Sequence, residues 1–194
     1  MSLERDHNGW LQRGKQRAAV AQVLRKPMTA TEIRVAAGAI NPHIQLRDVW
    51  HLLNEMQQYK LVQCRNPRLV TGRLYELAAA GREAVAETFG ITVQPAPKHI
   101  DWRKYSWVVR AKIRRLALTV LGELENKLDK PQTATSIRKY LCEQHPVGLN
   151  PVLRGLKELV RLGLVREAGV TSQRGCRLYR LTTAGRQILE QLKC

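Results

Sequence analysis

Asn150, Arg154, Lys157 and Arg161 recur at three- and four-residue intervals, so a helix through them carries all four on one face. Those side chains offer amide and cationic donors, whose chemistry is the recognition of anions rather than bond making. An arginine near a helix start can donate two hydrogen bonds to the O6 and N7 of guanine. Lysine or arginine further along suits phosphate oxygens. Were such a helix laid in the major groove of duplex DNA, Asn150 and Arg154 would reach base edges, and Lys157 and Arg161 the backbone. Earlier in the chain Gln45, Arg47, His51 and Asn54 form a comparable face, less charged and richer in amide donors. The plainer reading of each residue is a solvated polar surface.

Bond-making chemistry finds no support. His7, His43, His51, His99 and His145 stand at no metal-ligand spacing with a cysteine or carboxylate. There is no phosphate-binding glycine loop and no GxSxG, so the sequence predicts neither enzyme nor cofactor nor metal site. Cys64, Cys142, Cys176 and Cys194 form no CxxC or CxxH pair, which fits free thiols of a reducing compartment. Cys176 stands beside arginines that would favour its thiolate and a redox role, but an ordinary exposed thiol is the favoured reading.

The charge says more. Thirty-three Lys and Arg against sixteen Asp and Glu give +17, with a pI near 10.4. Through residue 94 there are 13 basic and 8 acidic residues, net +5, and beyond it 20 and 8, net +12. Such a balance points to a polyanionic partner, nucleic acid first and an anionic membrane surface second. A merely soluble basic surface is the plain alternative. At 44% hydrophobic the chain can bury a core. No apolar run approaches the roughly 20 residues of a membrane span, and MSLERDHNGWLQRGKQR lacks the apolar region of a secretory signal. A cytoplasmic protein with no membrane attachment is expected.

The elements that must position these residues are written twice. RLYELAAAGR at 73–82 returns as RLYRLTTAGR at 177–186, identical at seven of ten positions and offset by 104. TATEIR and TATSIR share that offset, which marks a duplicated unit of roughly 80 residues. In each copy a helical run ends at a proline, Pro27 or Pro131, and a second helix follows. The spacing of Thr29 and Glu32 predicts a capping box, and Gly38 a close. A third helix follows from the periodicity of Leu46, Val49, Trp50, Leu53 and Met56, and of Val152, Leu153, Leu156, Leu159 and Val160. Asn150-Pro151 suits its start in the second copy; Asn41-Pro42 or a point near Gln45 suits the first. Two short strands around a basic loop predict a β-hairpin, and a last helix closes each copy.

Helix, helix, helix, hairpin, helix is the order of a helix-turn-helix with a wing. Here LYRLTTAGR resembles winged-helix regulators of the MarR, PadR and ArsR type, in which Tyr-x-Leu-Thr-x-x-Gly-(Arg/Lys) recurs where the wing meets its helix. Tyr179, Leu181, Thr182, Gly185 and Arg186 match that pattern; Tyr75, Leu77, Gly81 and Arg82 match it too, with Ala78 in place of threonine. The resemblance implies a mostly α, α+β protein of two tandem winged-helix domains, at 12–90 and 107–194, with 91–106 as linker. It implies sequence-specific binding of double-stranded DNA, with transcriptional regulation as the expected role. A replication-initiation or mobile-element protein and a protein-interaction module are the rival roles. A homodimer and a monomer reading two half-sites both fit, and no effector is legible. The wings then add Arg65, Arg68, Gln173, Arg174 and Arg177. The run before the second copy adds Arg110, Lys112, Arg114 and Arg115, interleaved with Trp102, Tyr105 and Trp107, whose tryptophans are expected to pack.

Overall fold

The computed structural model describes residues 7–143, 145–172 and 175–193. It divides into two compact units, Met1–Lys98 and His99–Cys194. The first runs α1 (His7–Gln12), α2 (Lys15–Val23), β1 (Met28–Thr29), α3 (Ala30–Gly38), α4 (Leu46–Gln58), β2 (Val62–Cys64), β3 (Leu74–Leu77) and α5 (Ala79–Phe89). The second runs α6 (Trp102–Val109), α7 (Lys112–Leu128), β4 (Gln132–Thr133), α8 (Ala134–Cys142), α9 (Leu149–Arg161), β5 (Val165–Val170), β6 (Arg177–Leu181) and α10 (Thr183–Lys193). The element order is the same in both. The protein is mostly helical, with two small antiparallel sheets ordered β1-β3-β2 and β4-β6-β5.

Each sheet has one strand more than the expected hairpin. Met28 and Thr29 pair with Tyr75 and Leu74, and Gln132 and Thr133 pair with Tyr179 and Leu178. Thr29 and Thr133 end these two-residue strands and also cap the next helix. The Glu32 amide donates to the Thr29 hydroxyl at 3.3 Å, and the Thr29 amide to the Glu32 carboxylate at 2.9 Å. That is the capping box expected. Thr133 accepts from the Ser136 amide at 3.1 Å, but serine is too short to return the bond to the backbone.

The third helices start where sequence signals were ambiguous or misleading. α4 begins after Gln45, whose amide donates to the Asp48 carboxylate at 2.9 Å. α9 is capped by Gly148, so Asn150 and Pro151 lie inside its first turn rather than at its boundary. Proline is tolerated there because the first amides of a helix have no intrahelical acceptor. The stretch 91–106, expected as linker, holds the start of α6, whose first amides, Arg103 and Lys104, donate to the Asp101 carboxylate.

The core of each unit lies between its helices and one face of its sheet. In the first, Val49, Leu52, Leu53 and Met56 of α4 are buried with Ile33, Tyr75, Leu77 and Val85. Leu46 and Trp50, expected in that stripe, are instead 40% and 38% exposed. A run of apolar residues at helical spacing is wider than the face the core covers. In the second unit Val152, Leu156 and Leu159 are buried and Leu153 and Val160 half-buried. Trp102 and Tyr105 are buried edge to face at 5.4 Å, while Trp107 stays 41% exposed.

The repeated phrase is a packing joint. Tyr75, Leu77, Tyr179 and Leu181 point inward and are buried. A Cβ on Gly81 would sit 1.9 Å from the Leu61 carbonyl oxygen, and one on Gly185 2.0 Å from that of Leu164. Those carbonyls accept the Ala78 and Thr182 amides at 2.9 and 3.0 Å, fixing the start of the last helix. Thr182 caps α10 by accepting the Gly185 amide at 3.1 Å; Ala78 supplies no such bond. Thr29 and Thr133, like Gly81 and Gly185, are 104 apart, but Leu46 and Leu149, like Leu61 and Leu164, are 103 apart. The turn before α9 is therefore one residue shorter than that before α4, and the second hairpin segment one longer.

Candidate nucleic-acid interface

The outward ridge of α9 is cationic. Asn150, Arg154, Lys157 and Arg161 are all exposed, and the opposite side is held in the core by Val152, Leu156 and Leu159. The one acid of this helix, Glu158, is occupied by Arg114 of α7, Nη1 to Oε2 at 3.2 Å. Arg114 keeps only 11% of its side chain exposed and lies 4.3 Å over the Trp107 ring. Burial, the largest cause, holds its pKa below the usual arginine range; Glu158 pulls it back up and Arg110 adds to the lowering. Arg114 therefore ties α7 to α9 and leaves the ridge its positive charge.

Two grooves flank the ridge. One, of about 460 Å³, runs between the α6–α7 corner and α9, lined by Ala111, Ile113 and Arg114 and by Asn150, Pro151 and Arg154. Exposed Arg110, Lys112 and Arg115 belong to that corner, with Arg110 lying 5.5 Å over Trp107. The other, of about 340 Å³, lies between α9 and the hairpin. Its walls are Thr133, Ala134 and Thr135, then Leu149, Leu153 and Lys157, then Cys176, Arg177 and Tyr179. Arg177 forms an ion pair with Glu167 across the strands. Gln173 and Arg174, expected at this wing tip, lie outside the described residues.

The first unit offers a different face. Gln45 serves as the N-cap of α4. Arg47 is 89% exposed and lies 3.6 Å from Asp48, while His51 Nε2 lies 3.2 Å from the Glu55 carboxylate. Asn54 is exposed. Arg65 is turned inward, its Nε 3.1 Å from Glu76 and a second nitrogen donating to the Ala96 carbonyl at 3.2 Å, whereas Arg68 is exposed. With Asp48 and Glu55 on the same helix as Arg47, α4 has no cationic ridge.

Sequence reasoning passed over the apolar side of this surface. Leu46 and Leu149 open their helices and are 40% and 37% exposed. The available signal was the row Leu149, Leu153, Lys157, which ends in a cation where a core row would continue apolar.

No family model matches the chain, and no curated protein matches it. Among solved structures, ScpB from Mycobacterium tuberculosis is similar over 91% of this chain and 92% of that one, at 18% identity and a TM-score of 0.27. Among the described residues no helix is long and apolar enough to cross a membrane, and no group of three His, Cys, Asp or Glu is placed to hold a metal ion.

Proposed function

We propose that the protein is a cytoplasmic, sequence-specific binder of double-stranded DNA, built from two winged-helix domains and acting in transcriptional regulation. The observation that carries this reading is the α9 ridge, whose three cations are exposed while its single acid is sequestered by Arg114. A helix of that kind can enter a major groove, its first turn reaching base edges and its later turns the phosphates. The basic corner at Arg110, Lys112 and Arg115 on one side and the hairpin on the other then stand where the flanking backbone would pass.

A salt titration of the full chain on duplex DNA tests this. If about 6 to 10 phosphates are neutralised, affinity falls by roughly 10³- to 10⁵-fold between 50 and 200 mM salt. A nearly flat dependence removes the phosphate-dominated reading.

One observation favours a second reading for the first unit, that of a protein-contact module. α4 leaves Leu46 and Trp50 exposed and carries two acids against one arginine, which suits a protein surface better than a polyanion.

A further inference from the structure

The groove between α9 and the hairpin holds a feature that phosphate binding does not use. Leu149 and Leu153, one helical turn apart, line it with Ala134 and Tyr179, and Lys157 stands at the same groove one turn further on. The core side of this helix is formed by Val152, Leu156 and Leu159, all fully buried, which leaves Leu149 exposed and Leu153 half-buried beside the groove. At the matching positions α4 carries Leu46 and Trp50, both exposed.

An apolar surface beside a cation calls for an occupant that is apolar and negatively charged within a short distance. Within duplex DNA the major groove presents donors, acceptors and a single apolar group, the 5-methyl of thymine, on a nucleotide that also carries a phosphate. We infer that Leu149 and Leu153 form a seat for a thymine methyl group, with Lys157 on the neighbouring backbone. This rests on the DNA reading above and adds to it a base preference that hydrogen-bond donors on α9 do not supply. Arg177, already paired with Glu167, contributes less charge to the seat than Lys157 does.

The test is made mainly on the DNA, so the fold of the protein is not at stake. A duplex selected by the full chain from a random pool is resynthesised with each thymine replaced singly by deoxyuridine, which removes only the methyl group. For the unaltered chain, one or two positions should bind about three- to fivefold more weakly, the effect of one buried methyl. That sensitivity should vanish in Leu153→Ala and persist in Arg154→Ala, which weakens binding for another reason. Leu149→Ala, at the more exposed position, is the second variant if Leu153→Ala does not fold. A selected site without a thymine preference, or a selected duplex indifferent to every deoxyuridine, overturns the inference while leaving DNA binding intact; the leucines then belong to a protein contact. Methyl sensitivity undiminished in both leucine variants also overturns it, because the methyl is then read elsewhere. If no duplex is selected at all, the DNA reading fails first and takes this inference with it.

Discussion

Arg114 and Arg154 both lie beside α9, and their surroundings give them different work. Arg114 is nearly covered, stacked on Trp107 and bound to Glu158, so its charge is spent inside the protein. Arg154 lines an open groove near the start of the helix and keeps its guanidinium in solvent. Arg154→Ala is therefore expected to cost about 1 to 3 kcal/mol of DNA affinity and to relax preference at one base pair, as for a lost bidentate contact. Lys157→Ala should weaken every sequence alike, because a phosphate contact carries no sequence information. Titrating both variants against a selected and a scrambled duplex separates these outcomes. An equal loss on both duplexes for Arg154→Ala would make it a phosphate contact and require α9 to be reoriented. Arg65 shows what sequence alone leaves out of view. Its place in a basic loop suggested an outward contact, yet Glu76 and the Ala96 carbonyl draw it inward, and those partners are 11 and 31 residues away along the chain.

At the scale of elements, the joint between the hairpin and the last helix has the clearest physical cause. The Gly185 position lies against the Leu164 carbonyl, which is backbone and cannot swing aside. Gly185→Ala should destabilise the second unit by about 1 to 3 kcal/mol or more, since α10 must shift to admit one methyl. Gly38→Ala is the control: nothing lies within 4 Å of its added Cβ, and a glycine in a helix is conformationally costly, so stability should hold or rise slightly. Urea unfolding of both variants measures the difference. This joint was legible in the sequence because ten residues of it are repeated nearly unchanged. The capping box at Thr29 was legible too, being a local bond between residues three apart. The strands β1 and β4 were not, because two residues give no periodicity and their partners lie 45 to 47 residues downstream. The start of α9 was misplaced because Asn-Pro is a good boundary signal, while the glycine that caps it carries no side chain to announce the role. Likewise α6 begins in a stretch that prolines made look like linker, and only Asp101 with its two amide bonds marks it.

Across the whole molecule the charge is unevenly shared. Met1–Lys98 carries 14 basic and 8 acidic residues, net +6, and His99–Cys194 carries 19 and 8, net +11. The local difference is sharper. In the second unit the ridge of α9, the corner at Arg110, Lys112 and Arg115, and exposed Arg166 are cationic, and Glu158 of α9 and Glu167 of β5 are already paired. In the first unit α4 sets Asp48 and Glu55 against Arg47, and the hairpin arginine Arg65 is turned inward. Long-range attraction follows net charge, but affinity at contact follows the cations that reach phosphates without competition from a neighbouring carboxylate. The isolated second unit, produced from about residue 97, should therefore bind duplex DNA measurably, with a salt dependence close to that of the full chain. The isolated first unit should bind weakly and with a shallow dependence, since α4 sets its one arginine beside Asp48 and presents no row of cations to displace counterions. Parallel titrations of the two fragments on one duplex at several salt concentrations decide it. Equal slopes would mean that α4 and its hairpin contact the backbone as proposed for α9, and that Arg47 leaves Asp48 on binding. A first unit that binds no DNA but captures a second protein through Leu46 and Trp50 would instead separate anchoring from assembly, with the charge imbalance as its physical origin.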